Sequence, residues 1–252
     1  MPATLAHSAG NIACMNTQDA EEQEIIRSWH ANAAPWARAI RAASIASRKY
    51  ITNQAIIDAV LSVSCTRILD IGCGEGWLAR ALSDRGMSAT GIDAVPELIA
   101  HAAARPSAGG SGNAAFYVQD YASIADRRWG GGPYDAAVCN FSLLGRESVD
   151  SLLAALPWYL NDPGYLIIQT LHPVAACGEQ SYQDGWREGS RVGFSSDFRD
   201  PAPWYFRTLK SWTALLQHCG FDILEYREPK ATGAVTPASA IWIGRTPRSA
   251  QT

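Results

Sequence analysis

Leu69-Asp70-Ile71-Gly72-Cys73-Gly74-Glu75-Gly76 joins the apolar run Arg67 to Ile71 to a segment in which Leu78, Ala81 and Leu82 recur near helical spacing. The run reads as a buried strand, the segment as a helix that Gly86 stops. Glycines between the two let the chain turn sharply and let a ligand approach the backbone closely. One element further on, Ser88 to Ile92 is a second strand closed by Asp93, which lies 19 residues beyond Gly74. A carboxylate in that position can accept both hydroxyls of a ribose. Strand, glycine loop, helix, strand, acid is the nucleotide site of a doubly wound sheet. Each piece alone is weak, and the order makes it specific.

The chain repeats this alternation. Pro96 opens a helix through about Ala104, and a loose stretch from Pro106 to Gly112 leads into a strand at Phe116 to Val118. Tyr134 to Cys139 is a strand, Val149 to Leu160 a helix, and Gly164 to Thr170 a strand rich in Ile and Leu. Strands this apolar, alternating with helices, indicate a parallel α/β sheet covered on both sides. Before it, Ile25, Ile26 and Trp29, then Trp36, Ile40 and Ile45, suggest two helices with Pro35 starting the second, and a third helix runs from about Thr52 to Val63. After it come a helix at Thr208 to His218 and strands at Phe221 to Arg227 and Ala240 to Gly244. The expected organisation is a disordered tail over residues 1–18 and a single domain over 19–248. That domain divides into a helical cap (19–64), a core (65–172), an insertion (173–206) and a final helix with strands (207–248).

Charge separates two nucleoside cofactors. A dinucleotide would set a pyrophosphate on the glycine loop and helix N-terminus. Here the loop carries Asp70 and Glu75, and Trp77 replaces the third glycine of G-x-G-x-x-G. Carboxylates repel a pyrophosphate but suit the cationic ammonium and sulfonium of S-adenosylmethionine (SAM).

Residues 67–140 closely resemble the class I SAM-dependent methyltransferases, in which the L-D-I-G-C-G-x-G string is a signature. The resemblance implies a Rossmann-like seven-stranded sheet in order 3-2-1-4-5-7-6 with the last strand antiparallel. It also implies that Asp70 to Gly76, with Gly72, Cys73 and Gly74 among them, surround the methionyl part, that Asp93 holds the ribose, and that Ala94 touches the cofactor. Asp120 and Tyr121 would flank adenine, although an Asp at a strand end can equally be a helix N-cap. Asn140 and Phe141 would lie under the methionine, and Trp36 in the cap is a candidate for closing over it, as are Arg41, Arg48 and Tyr50; a cap arginine could pair the SAM carboxylate. The product would be S-adenosylhomocysteine (SAH).

The acceptor site is read from the insertion. Residues 173–206 have no regular period but contain Tyr182, Trp186, Phe194, Phe198, Trp204, Tyr205 and Phe206. Long aperiodic loops in a compact domain are usually functional, so a lid is expected, with Tyr182, Trp186, Trp204 and Tyr205 against an aromatic or heteroaromatic metabolite. The alternative is that these rings only pack the lid down. His172 follows the fifth strand at the catalytic edge and is the candidate general base; it could instead orient the lid or bind substrate.

Composition bounds the rest. A net charge of −3 without a basic stripe argues against a nucleic-acid acceptor. Asn140-Phe141-Ser142-Leu143 also lacks the prolines of the N6-adenine methylating enzymes. The six cysteines form no C-x-x-C pair or zinc spacing, which fits a reducing compartment. No apolar stretch precedes Arg27 or approaches a bilayer span, so a cytoplasmic protein without membrane contact, monomer or homodimer, is expected. No convincing Asp/Asn ligand set suggests a metal. The leading expectation is methyl transfer to oxygen or nitrogen of a small molecule. Protein methylation, SAM binding without methylation and NAD-dependent oxidoreduction are the alternatives.

Overall fold

In the computed structural model, which describes residues 9–105, 112–190 and 197–247, the architecture begins with one long helix. Helix α1 spans Ala9–Arg41 and carries Pro35 inside it. Two sequence expectations are thereby corrected. Residues 9–18 are helical where a tail was expected (1–8 lie outside the described residues), and Pro35 does not start a second helix. The reason is the apolar row Ile25, Trp29, Ala33 and Ala37, spaced four apart, which continues past the proline on one face; Ala33 packs with Trp29, Trp36, Val95 and Leu98.

A π-helical turn, Arg48–Thr52, leads into α2 (Asn53–Leu61). Then follow β1 (Arg67–Ile71), α3 (Trp77–Ser83), β2 (Ser88–Asp93), α4 (Pro96–Ala103) and β3 (Asn113–Val118). The next elements are α5 (Tyr121–Ala125), β4 (Tyr134–Asn140), α6 (Glu147–Ala155) and β5 (Leu160–Leu171). The helix expected to run to Leu160 ends at Ala155 because Pro157 tightens the chain into a 3-10 turn. After β5 come α7 (Pro173–Cys177), β6 (Gly185–Arg187), β7 (Trp204–Phe206), α8 (Leu209–His218), β8 (Asp222–Arg227) and β9 (Ser239–Arg245).

The main sheet has seven strands in the order β3-β2-β1-β4-β5-β9-β8. β1 to β5 pair in parallel and β9 runs antiparallel to both neighbours, as the sequence reading expected. Alternate residues of the central strands enter two cores. Leu69, Ala137, Cys139, Leu166, Ile168 and Trp242 meet α6 and α8. Ile68, Ala136, Val138, Ile167 and Ile243 meet α2 and α3. The sheet is thus covered on both faces, and its free C-terminal edge is where β1 and β4, diverging to either side, leave a crevice. No helix among the described residues is long and apolar enough to cross a membrane. The five described cysteine thiols are free and buried.

Candidate active site

The C-terminal ends of β1 to β4, roofed by α1, enclose a cavity of about 450 Å³, within the roughly 300–1,000 Å³ usual for small-molecule sites. The glycine loop, the ends of β2, β3 and β4 and the cap all contribute to it. The structure brings together Trp36, Arg48, Asp70, Gly72, Cys73, Gly74, Asp93, Ala94, Asp120, Tyr121, Asn140 and Phe141, whereas Arg41, Tyr50, Glu75 and Gly76, also expected around a cofactor, are not in the cavity wall.

Local bonding fixes this wall. Asp93 accepts from the Gly74 amide at 2.9 Å through Oδ2 and from the Val95 amide at 2.9 Å through Oδ1, so one carboxylate ties the glycine loop to the end of β2. Asp120 accepts from the Ser123 amide at 2.8 Å and hydroxyl at 2.6 Å: it caps α5 while also lining the cavity. Phe141 has φ 56°, a conformation rare outside glycine, and is held there by its amide bond to the Gln169 carbonyl at 2.8 Å. Behind it the Ser142 hydroxyl donates to the Ile71 carbonyl at 2.7 Å, and the Tyr121 hydroxyl donates to the Ser142 carbonyl at 3.0 Å.

Two charged groups in the cavity wall are unsatisfied. Asp70 is 1% exposed and its Oδ2 has no hydrogen-bond partner. Burial raises its carboxyl from 3.8 to about 7; the Ala79 amide opposes the rise and Asp93 adds to it. Arg48, on the π-helical turn, is buried with its guanidinium 5.4 Å from the Trp36 ring and 5.1 Å from the Trp77 ring. Its Nη2 also has no partner, and burial lowers the group to about 10 against the attraction of Glu75 and Asp70.

Glu75 behaves differently from Asp70. It is buried against Arg80, 2.6 Å away, and Arg105, and is not part of the cavity wall, so of the two loop carboxylates only Asp70 lines the cavity. For Asp70 the sign of the pH effect is definite. Its folded pKa exceeds the unfolded value, so the folded state holds the extra proton between about pH 4 and 7, and stability falls as pH rises through that window. Urea unfolding at pH 5 and pH 7.5 is expected to show a larger loss for the native chain than for Asp70→Asn, which carries no such proton; equal losses would contradict the assignment.

The remaining expected residues lie elsewhere. His172 is 4% exposed and outside the cavity wall; its Nε2 is 2.9 Å from Glu228 Oε1 and 3.3 Å from the Tyr226 hydroxyl. That bond, first among several causes, holds the Glu228 carboxyl below its usual range. Tyr182, Trp186, Trp204 and Tyr205 are likewise absent from the wall. β6 and β7 form a small ribbon in which Trp186 meets Tyr205 edge-on at 5.5 Å, while Trp204 and Tyr182 meet Phe206 at 5.8 Å. The Tyr205 amide donates to the Leu144 carbonyl at 2.7 Å, so the ribbon stands behind the loop after β4. Phe198 meets Trp36 at 6.4 Å, and Phe194 lies outside the described residues. Among the other cap candidates, Tyr50 is 72% exposed and Arg41 bonds its own helix at the Ala37 carbonyl.

What sequence reasoning missed is the roof. Glu22, Gln23, Ile25, Ile26 and Trp29 of α1 and Leu144, Gly145 and Ser148 after β4 complete the cavity. The apolar α1 positions were legible as a helix face, but nothing local said what that face covers.

A methyltransferase-domain family model matches residues 23–226, the stretch from the cavity roof to the end of β8. The chain belongs to this methyltransferase family. Its sheet is the class I, Rossmann-like sheet of solved methyltransferases. A SAM-dependent methyltransferase of Methanosarcina mazei is 21% identical, with 77% of this chain and 98% of that one covered at a TM-score of 0.57. A magnesium protoporphyrin IX methyltransferase of Synechocystis, with bound SAH, is 17% identical over 85% of this chain and 84% of that one, at a TM-score of 0.52. Among curated methyltransferases, a ubiquinone biosynthesis O-methyltransferase of Xylella fastidiosa is 54% identical over 39 residues, 16% of each chain. One of Xanthomonas oryzae is 28% identical over 120 residues, 48% of this chain and 49% of the relative. The chain thus matches half or less of the length of these curated relatives.

Proposed function

We propose that the cavity binds SAM and that the chain transfers the methyl group to oxygen or nitrogen of a small molecule, releasing SAH and the acceptor's proton, which passes to solvent. The observation that carries this reading is the pair of buried, unpartnered charged atoms in one cavity, Asp70 Oδ2 and Arg48 Nη2. An α-amino acid moiety presents an ammonium to the first and a carboxylate to the second. Asp93 retains acceptor capacity for ribose hydroxyls, and Asp120, Tyr121, Val95 and Leu98 offer adenine a polar edge and apolar faces. A pyrophosphate would meet Asp70 and find Arg48 the single basic side chain in the wall. When bound, SAM supplies an electrophilic methyl group; the chain's share is orientation and exclusion of water.

In this reading His172 fastens the end of β5 to the segment after β8 and moves no proton, and Tyr182, Trp186, Trp204 and Tyr205 brace the loop after β4 without touching the acceptor. Both assignments rest on where those side chains sit relative to the cavity. The test is calorimetric. Arg48→Ala is expected to weaken SAH binding by about 10- to 100-fold, the worth of a charge-assisted pair, while adenosine, which lacks the amino acid, binds both proteins alike. Equal affinity of the two proteins for SAH would overturn the placement of the methionyl group.

A further inference from the structure

Between α1 and the loop after β4 the cavity is lined by Ile25, Ile26 and Trp29 on one side and Phe141 and Leu144 on the other, with Gln23, Ser142 and Ser148 as uncharged polar members. One charged side chain stands in this part of the wall, and the cofactor reading leaves it unused: Glu22. Its Oε1 accepts from the Arg146 amide at 2.8 Å and the Ser148 amide at 3.4 Å, and its Oε2 from the Ser148 hydroxyl at 2.6 Å. Arg146, the N-cap of α6, offers no side-chain cap of its own, so Glu22 caps that helix from α1. A carboxylate has about four acceptor positions, and these three bonds leave one open. Gly145 makes room for it: a Cβ there would lie 2.3 Å from Glu22 Oε2.

The charge of the whole wall points the same way. Its acidic residues are Glu22, Asp70, Asp93 and Asp120, against Arg48 alone on the basic side. With Arg48 engaged by the amino acid carboxylate, no basic side chain of the wall is left to meet an anionic acceptor. Once the methyl has moved and SAH remains, the sulfonium charge is gone as well. The N-terminus of α6, otherwise a place for an anion, is already filled by Glu22.

We propose that the acceptor is an uncharged or cationic apolar molecule that presents an N–H or O–H to Glu22, and that acceptors bearing a carboxylate or phosphate are rejected. The proposal rests on the cofactor reading above, and the first step of its test reads that separately. SAH is titrated into the protein; failure to bind overturns the cofactor reading and this proposal with it. The SAH-saturated protein, in which Arg48 is occupied, is then titrated with benzylamine, benzyl alcohol and benzoate, which share a ring and differ in charge. Benzylamine is expected to bind at least about tenfold more tightly than benzoate, the ordinary worth of a hydrogen bond to a charged group, with the alcohol between them. Glu22→Gln keeps an acceptor for Arg146 and a partner for Ser148, and removes the charge together with the open acceptor position on Oε2. It is expected to retain SAH binding and to bring amine and alcohol to similar affinities. Benzoate binding as tightly as benzylamine, no binding of any of the three, or an amine preference that survives in Glu22→Gln would overturn the proposal.

Discussion

Replacing Asp93 with alanine is expected to weaken SAH binding by about 100-fold or more. Two hydroxyl hydrogen bonds to a charged acceptor are lost, each worth at least ~1.5 kcal/mol. The effect has a second source inside the protein. Asp93 Oδ2 also holds the Gly74 amide at 2.9 Å, so the alanine variant releases the glycine loop as well as the ribose. Stability should change much less than affinity, because burial already raises the Asp93 carboxyl and its removal relieves that cost. Calorimetry beside urea unfolding separates the two effects. An alanine variant binding SAH within about threefold of the native protein, less than a single hydrogen bond is worth, would remove Asp93 from the site.

Arg80→Met is expected to be the most destabilising substitution near the site, costing ~3–5 kcal/mol, the usual result of stranding a buried charge. Arg80 binds the buried Glu75 carboxylate at 2.6 Å, the Glu75 carbonyl at 2.7 Å and the Ala102 carbonyl at 3.3 Å, joining the glycine loop to the end of α4. Arg105, 3.7 Å from Glu75 and half exposed, compensates only in part. Adding Glu75→Leu to Arg80→Met should recover much of the loss, since the cost lies in the unpaired carboxylate. Urea midpoints of the single and double variants decide it: a double variant weaker than the single would mean that the carbonyl bonds, and not the charge, carry the effect.

The sheet was legible because its signals are local. The glycine loop, Asp93 at the next strand end and the apolar runs each declare themselves within a few residues, and strand order follows from the family that the loop resembles. The cavity's floor was legible for the same reason, since it consists of strand ends. The roof was not. Glu22 acts through Arg146 and Ser148, 124 and 126 residues away, and no local pattern signals a cap supplied by another helix. Pro35 read as a helix start because the buried alanines that carry α1 past it show their worth only when packed. Glu75 read as a cavity charge because the pairing with Arg80, five residues on, depends on which way the loop turns. The insertion was the hardest segment to read. Its rings suggested an aromatic acceptor; among the described residues Tyr182, Trp186, Trp204, Tyr205 and Phe206 pack on one another, Phe198 meets Trp36, and Arg207 places its guanidinium 4.8 Å from the Tyr205 ring and 5.0 Å from that of Trp212. Arg207 also holds the Gly145 and Arg146 carbonyls at 2.9 Å each, which fastens the β6–β7 ribbon behind the loop after β4.

The central claim is that this cavity holds SAM and not a dinucleotide. Titration of the native protein with SAH, and separately with NAD, tests it most directly. The account predicts one SAH per chain with micromolar affinity and no measurable NAD binding, because Asp70 faces the ligand where a pyrophosphate would have to sit. NAD binding more tightly than SAH, or no binding of SAH, would contradict it.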